Sequence, residues 1–409
     1  MSATLGLDAA RACDPAGYAM SGRPPRFAIK PATREELTET LRAAARDGLG
    51  VVPWGGGVAL GRERAPERFD VALDTRGLAR VVEYEPDDLT LTAECGATIQ
   101  SLRELLAAKG QELPIEAAEA WGATLGGALA ANASGARRAA LGAPRDRILG
   151  ARFVTGDGVL ARSGGKVVKN VAGYGIHRLL CGSRGALAVI AEATLKLQPA
   201  PPSRVALVHA CEPAALADPA RWERFARMRP AVLTWIGESI AAKDPVLGAG
   251  GAGAVVLGLE GEAADVERDA EHAREALGAP RIRLSDASAA TLWPRLADLE
   301  ELPGARLSFT SPHLTPAAAA ALPRESLARS VFHAACGRLH VFAGAADTTR
   351  LARDLAACGF ELIAARDVRI EPAIPPQQAV RSMRAAIRSA LDPRSRFAFG
   401  EAWEAGTSG

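Results

Sequence analysis

The stretch that decides the fold is "WGGGVALG", residues 54–61, which directly follows the apolar run Val51, Val52 and Pro53. The apolar run predicts a strand, and the adjacent glycines predict a loop whose main-chain N–H groups are uncovered. Consecutive uncovered N–H groups can bind an anion such as phosphate. The glycine spacing and the proline in "RERAPERF" (62–69) do not fit a Rossmann fingerprint, and no Walker Gly-Lys-Ser/Thr follows. By itself, the stretch is a phosphate loop or a surface turn.

The composition excludes several classes of protein. Among 409 residues, 49 Lys and Arg against 47 Asp and Glu give a net charge of +2, which implies no general attraction to nucleic acid or anionic membranes. The N-terminal sequence lacks a signal-peptide pattern, and the sequence lacks an apolar run of about 18 residues. We therefore expect a cytoplasmic protein. The six cysteines include no Cys-x-x-Cys pair, so neither an iron-sulfur cluster nor a zinc knuckle is supported.

Periodicity and turn residues predict an α+β fold. A capping box at Thr33 to Glu36 begins a helix that ends near Gly48, and a second helix covers 98–110. Asp157 and Gly158 form the turn of a predicted hairpin over 152–162. Further strands are predicted at 51–53, 70–74, 80–86, 89–97 and 187–199.

The proline cluster "PAPPSR" (199–204) is the predicted domain boundary, because clustered prolines do not sit inside a sheet. We expect one domain over 1–200 and a second α+β domain over 201–409. In the second, strand-like pieces alternate with helical pieces.

Three further stretches give the first half a family resemblance. They are "LDTRGLARVVEYEPDDLTLTAECGATI" (73–99), "ANASGARRAALGAPRDRILG" (131–150) and "KNVAGYGIHRLLCGS" (169–183). In this order they resemble the vanillyl-alcohol-oxidase-type (PCMH-type) FAD-binding oxidoreductases, and most of all the FAD-binding E subunits of bacterial glycolate oxidase complexes. The resemblance covers roughly residues 25–200. Beyond it, only "ALDPRSRFAFG" (390–400) is loosely similar to the run with which family members often end.

The resemblance implies a two-part PCMH-type FAD-binding domain followed by a smaller ferredoxin-like α+β domain. It also implies that the glycine loop wraps the FAD pyrophosphate and that later small-residue segments line the rest of the cofactor. The residues that it assigns to FAD are Trp54, Gly55, Gly56, Gly57, Val58, Ala59, Gly61, Pro114, Gly122, Ala123, Thr124, Gly126, Gly127, Ser134, Gly135, Gly185, Leu187, Val189 and Ile190.

The sequence departs from the family pattern at two places that concern the flavin. This chain has Gly185-Ala186-Leu187-Ala188 where the family has Gly-Thr-Leu-Gly. It also has Gly175 as the third residue at a place where the family has Gly-Tyr-Asp. Family members that attach flavin covalently often carry a histidine beside the first loop, and this chain has none near residue 57. We therefore expect non-covalent FAD.

His333 and His340 in "HAACGRLH" are the candidate catalytic residues. They keep the separation of a His-x-Gly-Asp-Gly-Asn-x-His-like element of catalytic relatives, but Cys336 and Arg338 replace its acidic residue and asparagine. We therefore favour structural histidines over a base or a metal site, and predict no metal. His177 is interpreted as a surface or supporting group. Five basic residues could bind an anion, but we expect their side chains to be solvated instead. They are Lys166, Lys169, Arg178, Arg137 and Arg138.

Three functions remain open. The first is the FAD-binding subunit of a glycolate oxidase complex, which oxidises the CH–OH group of glycolate to glyoxylate beside a catalytic flavoprotein and an iron-sulfur subunit. In it, membrane association is at most peripheral, through those partners. The second is a self-sufficient FAD-dependent 2-hydroxy-acid dehydrogenase with His333 or His340 as base. The third is a scaffold subunit without cofactor. The degraded histidine element favours the first function over the second.

Overall fold

A computed structural model describes residues 11–60, 65–166, 173–212, 218–248, 252–302, 305–310, 322–343, 348–357, 360–366 and 378–399. The chain divides into two compact units, and both are discontinuous in sequence. The first comprises Met1–Ala133, Ala143–Ala200 and Ile374–Gly409, and the second comprises Ser134–Gly142 and Pro201–Ala373. The mixed α+β class is confirmed, whereas the domain bounds 1–200 and 201–409 stay a prediction.

The first unit contains a four-stranded sheet in the order β1-β2-β4-β3. Its strands are β1 (Ala12–Cys13), β2 (Phe27–Ile29), β3 (Val51–Trp54) and β4 (Val71–Asp74). Strands β2 and β3 both run parallel to β4. Helix α1 (Arg34–Arg46) begins as predicted, because Thr33 Oγ1 accepts the Glu36 N–H at 3.1 Å.

The far end of the chain pairs with β3. The Val51 N–H donates to the Arg396 carbonyl at 2.7 Å, and the Ala398 N–H donates to the Val51 carbonyl at 3.0 Å. Asp392 holds this segment by accepting the N–H groups of Arg396 and Phe397. The C-terminal segment therefore lies along the strand that leads into the glycine loop.

A five-stranded antiparallel sheet forms the other part of the first unit, in the order β5-β6-β10-β8-β9. Its strands are β5 (Val81–Glu85), β6 (Thr90–Glu94), β8 (Ile148–Val154), β9 (Leu160–Gly164) and β10 (Val189–Lys196), and β7 (Gln111–Glu112) pairs with β11 (Gln198–Pro199). The predicted hairpin is confirmed by the Thr155 N–H to Val159 carbonyl bond of 3.0 Å. The helices of this unit after α1 are α2 (Ile99–Ala107), α3 (Leu125–Ala131), α5 (Pro144–Arg147), α6 (Ile176–Leu180) and α14 (Gln378–Leu391).

The second unit is built on an eight-stranded antiparallel sheet in the order β15-β12-β14-β13-β17-β18-β16-β19. Its strands are β12 (Ser203–Cys211), β13 (Val232–Ile236), β14 (Gly253–Gly261), β15 (Ile282–Ser285), β16 (Arg306–Thr310), β17 (Ser330–His333), β18 (Arg338–Phe342) and β19 (Glu361–Arg366). Its helices are α4 (Arg138–Leu141), α7 (Pro219–Arg227), α8 (Glu238–Ala241), α9 (Ala263–Leu277), α10 (Asp286–Ala290), α11 (Leu292–Glu300), α12 (Arg324–Ala328) and α13 (Thr348–Ala357).

Both faces of this sheet are covered by apolar clusters. Leu207 and Trp235 pack in one cluster, and their neighbours Val208 and Ile236 pack in another. This alternation follows from the two-residue period of a strand. In the part of the chain that the structure describes, no helix is both long enough and apolar enough to span a lipid bilayer.

Candidate functional site

The glycine loop leaves the end of β3 as predicted. Of the residues that the structure describes, none accepts a hydrogen bond from the N–H groups of Gly55, Gly56, Gly57 or Val58. Gly57 adopts a left-handed conformation with φ of +75°, which favours glycine. The loop therefore presents several free main-chain donors close together, as an anion site requires.

A second predicted segment lies directly against this loop. A Cβ on Gly56 would overlap the Gly122 carbonyl oxygen, and a Cβ on Gly55 would overlap Thr124 Oγ1. At these two glycines, the neighbouring part of the chain occupies the space that a side chain would need. Because Gly55 and Gly56 have no side chains, the loop can pack directly against residues 122–124.

Thr124 also begins α3. Its Oγ1 accepts the Gly127 N–H at 3.2 Å, while the Gly126 N–H donates to the Cys95 carbonyl at 2.7 Å. A Cβ on Gly126 would lie only 2.9 Å from Cys95 Cβ. The segment 122–127 is therefore fixed by close backbone packing on the end of β6.

A third predicted segment reaches the same end of β3. Gly185 has φ of +73°, and a Cβ there would lie 3.1 Å from Pro53 Cγ. The side chains of Leu187 and Ile190 fill one core and that of Val189 fills another, so only their main chain is free to face a ligand. Three segments far apart in sequence thus converge where β3 ends.

Ser183 is a residue that the sequence argument did not assign to the cofactor. Its side chain is buried, and its hydroxyl has no hydrogen-bond partner among the described residues. An unsatisfied buried hydroxyl is costly, and this one lies two residues before Gly185, whose segment reaches the end of β3. The free N–H groups of the loop and this hydroxyl both fit a phosphate-bearing, polar cofactor such as FAD.

The other residues assigned to FAD are more scattered. Trp54 is buried and packs edge-on against Tyr18, with ring centroids 5.4 Å apart. Pro114 and Ala123 are buried, Val58 is half-buried and Ala59 is exposed. Gly61 lies outside the described residues. Ser134 and Gly135 belong to the second unit.

Asp74 lies beside Trp54 in the parallel register of β3 and β4 and is fully buried. Arg76 donates to both of its carboxylate oxygens, and the Tyr18 hydroxyl donates to Oδ2 at 2.7 Å. Burial by itself raises the pKa of Asp74, but these hydrogen bonds more than offset it and lower the pKa. Because the carboxylate is already satisfied, Asp74 is a structural anion, in keeping with the rejection of a Rossmann site.

Three predictions about charged or titratable residues need correction or qualification. His177 is not at the surface: it is buried, and its Nδ1 lies 2.9 Å from Ser163 Oγ. Arg137 is not solvated: it is 3% exposed and binds Glu260 at 3.0 Å. Lys166 is largely exposed and forms an ion pair with Glu83, and Lys169 lies outside the described residues.

The candidate histidines of the second unit lie side by side. His333 ends β17, His340 lies in the neighbouring strand β18, and the ring centroids are 5.8 Å apart. Both Nε2 atoms face Glu300, at 2.8 Å from Oε1 for His333 and 3.1 Å from Oε2 for His340. This acidic partner could not be identified from the sequence, because Glu300 lies 33 residues before His333 and no local motif connects them.

Burial sets the ionisation of this cluster. It lowers the pKa of His340 to about 3, so the imidazole is neutral at pH 7. Burial by itself raises the pKa of Glu300, but the two histidines more than offset it and the carboxyl remains an anion. Both Nδ1 atoms are engaged, by Thr234 Oγ1 and Ser308 Oγ at 2.8 Å each. Neither histidine offers an exposed nitrogen to a substrate.

Comparison with known proteins agrees with this geometry. Residues 25–164 match the FAD binding domain family FAD_binding_4. The chain is 41% identical over 137 residues to glycolate oxidase subunit GlcE of Escherichia coli (strain K12), which covers 33% of this chain and 39% of that protein. It is 32% identical over 179 residues to D-2-hydroxyglutarate dehydrogenase of Xanthomonas citri pv. viticola, which covers 44% and 38%.

A solved structure of alkyldihydroxyacetonephosphate synthase in P1 shares the fold, with a TM-score of 0.67 over 92% of this chain and 77% of that chain at 16% identity. The matched part spans about two fifths of the length of the two curated relatives. The family match contains the glycine loop and the segment 122–127, two of the three segments that converge at β3. Residues 25–164 of this chain are therefore similar to the FAD binding domains of the FAD_binding_4 family.

Proposed function

We propose that the chain binds FAD without a covalent bond and is the FAD-binding subunit of a glycolate oxidase complex. The observation that carries the proposal is the convergence of residues 55–58, 122–127 and 182–190 at the end of β3, with free N–H groups and the buried Ser183 hydroxyl. This is the arrangement that a long, phosphate-bearing cofactor needs.

The residues have distinct parts in this proposal. The N–H groups of Gly55, Gly56, Gly57 and Val58 bind the pyrophosphate, and the main chain of 122–127 and 185–190 lines the remainder of the cofactor. Ser183 supplies a further hydrogen bond. When bound, FAD accepts the two electrons that leave a 2-hydroxy acid as it becomes a 2-oxo acid.

The proposed complex follows from what the described residues provide. A self-sufficient dehydrogenase needs a base beside the substrate hydroxyl, and the nitrogens of His333 and His340 are buried and engaged. The relative GlcE is a subunit of glycolate oxidase by its name. We therefore infer that a catalytic flavoprotein and an iron-sulfur subunit complete the enzyme, in the cytoplasm, with any membrane association through those partners.

The test begins with the absorption spectrum of the chain purified alone, before and after acid precipitation. Flavin released into the supernatant supports the proposal, and a colourless protein that takes up no added FAD contradicts it and favours the scaffold. Gly56→Val should abolish flavin binding, since its side chain would overlap Gly122 and displace the loop. Gly17→Val is the matched control, because a Cβ there meets nothing within 4 Å.

A second experiment tests the substrate and the partners. Glycolate-dependent dye reduction is measured with the chain alone and with the co-expressed partner subunits. Activity only in the complex supports the proposal. Activity of the isolated chain would instead establish the self-sufficient dehydrogenase.

A further inference from the structure

Two arginine side chains meet where the C-terminal segment joins the start of β3, within the first unit. The Arg68 guanidinium donates to the Ser395 carbonyl at 3.2 Å and to the Gly48 carbonyl at 2.7 Å. Arg396 reaches the same glycine, because its Nη1 lies 3.7 Å from the position that a Cβ on Gly48 would occupy. The fold thus brings two guanidinium groups from distant parts of the chain together at Gly48.

Arg396 has an unsatisfied donor at this point. Its side chain is half-buried, and its Nη1 is closed to solvent and has no hydrogen-bond partner among the described residues. Its Nε donates to the Arg394 carbonyl at 2.6 Å, which holds the guanidinium group in place. A buried donor without a partner costs free energy, and the cost is larger for a charged group. The position of Nη1 therefore favours an acceptor from outside the described residues.

The aspartates of this region are engaged with the main chain. Asp392 accepts the N–H groups of Arg396 and of the residue that follows it. Asp70 accepts the Gly50 N–H at 2.7 Å. These carboxylates fix the backbone around Gly50 and Arg396, and they do not fully neutralise the paired guanidinium groups.

The ionisation of Arg396 shows the same excess of positive charge. Burial lowers the pKa of Arg396, and the neighbouring charge of Arg68 lowers it further. A guanidinium group with a well-placed anionic partner has a raised pKa instead, as Arg76 has because it donates to Asp74. An anion beside Arg396 would satisfy its free donor and offset the repulsion from Arg68.

We propose that Arg68 and Arg396 bind one tetrahedral oxyanion of the phosphate class beside Gly48. Guanidinium groups match the oxygen spacing of phosphate and bind it through several charge-assisted hydrogen bonds. The anion accepts from Arg396 Nη1 and from the N–H donors that Arg68 does not use for the two carbonyls. Because Arg68 is exposed, a small ion can enter from the solvent.

This site is distinct from the proposed flavin site. The Val51 N–H donates to the Arg396 carbonyl at the start of β3, whereas the glycine loop leaves the other end of this strand. A strand of this length spans about 10 Å. The anion joins the C-terminal segment to the residues that precede β3, and it thereby stabilises the pairing of that segment with Val51.

The first test uses the full chain, dialysed free of phosphate, in a chloride buffer. Thermal unfolding is measured while inorganic phosphate replaces chloride at constant ionic strength. The unfolding temperature should rise and saturate, by about 4 °C at ten times the dissociation constant. Hydrogen exchange at the Val51 and Ala398 amides should become slower, because these groups join the C-terminal segment to β3. Identical unfolding temperatures and exchange rates in phosphate and chloride overturn the proposal.

Variants then locate the anion. Arg396→Gln and Arg68→Gln should lose the phosphate effect, whereas Lys109→Gln, at an exposed cation elsewhere, should retain it. Phosphate also stabilises folded proteins in general. If either arginine variant responds to phosphate as the unmodified chain does, the effect is of this general kind and the proposal is wrong. If a variant fails to fold, the exchange rates of the unmodified chain decide the proposal. Flavin content is a separate readout, so this test is independent of the proposed function.

Discussion

Phe397, near the far end of the described chain, forms a parallel β-bridge with Val51 at the start of β3, which joins residues 346 positions apart. Phe397 is 1% exposed and packs in the same apolar cluster as Val51. The strand that leads into the glycine loop therefore depends on the C-terminal segment for its outer neighbour.

Phe397→Ala should destabilise the first unit by about 3 kcal/mol, because it removes a fully buried aromatic ring and leaves a cavity. Thermal or denaturant unfolding measures the loss, and flavin content should fall with it. Met383→Ala on α14, where the side chain is 65% exposed, is the control and should change stability by less than about 0.5 kcal/mol. Equal stability of both variants would show that the C-terminal segment is not packed on β3.

Gly55→Ala should destabilise the chain by about 2 kcal/mol, since the added methyl group overlaps Thr124 Oγ1. Thr124→Ala alone should cost about 1 kcal/mol, because it removes the cap of α3. The double variant should be more stable than the sum of the two losses predicts, as a double-mutant cycle would show. Gly55→Ala with Thr124→Ser retains the hydroxyl, and it should show no such rescue.

Asp74 should make the free energy of unfolding depend on pH in the acid range. Because its pKa is lowered in the folded chain, the unfolded chain binds protons more readily at acid pH. The stabilisation that Asp74 provides is therefore complete above about pH 4, the ordinary pKa of an aspartate. It is lost as the pH falls through the lower pKa that Asp74 has in the folded chain. Asp74→Asn should lower stability at pH 7 by about 3 kcal/mol and weaken the dependence on pH below 4. Unfolding curves from pH 2 to 7 check both effects, with exposed Asp87→Asn as control.

Arg137→Ala should destabilise the second unit by about 3 kcal/mol, because Glu260 would lose a buried partner. Glu260 also binds Arg204 and Trp293 Nε1. Hydrogen exchange over Ser134–Gly142 should become faster in the variant. Unchanged exchange would mean that this segment is held by other contacts, such as the bond from Arg338 to the Ser134 carbonyl at 2.7 Å.

The local elements could be predicted because their signals are local. Thr33 and Glu36 stand three residues apart at the start of α1, and Asp157-Gly158 marks a hairpin within a few residues. The glycine loop was found from its own residues, and its neighbours were found through a family resemblance.

Long-range contacts could not be predicted in this way. Nothing around Glu300 indicates that it meets His333 and His340, and the pattern near Arg137 is the same for a solvated cation as for a buried ion pair. The return of Phe397 to β3 likewise depends on packing that only the folded chain reveals. The contacts that could not be predicted are therefore mainly those that depend on burial and on pairing between residues far apart in sequence.

The pairing of β3 with residues 396–398 also sets an order for biosynthesis. Domains commonly fold from the N-terminus as they leave the ribosome, but β3 can receive its outer neighbour only after residues 396–398 have been translated. Until then the strand beside the glycine loop has an open edge, which is exposed to pairing with other nascent chains. Maturation of the glycine loop is therefore expected to follow synthesis of residues 396–398.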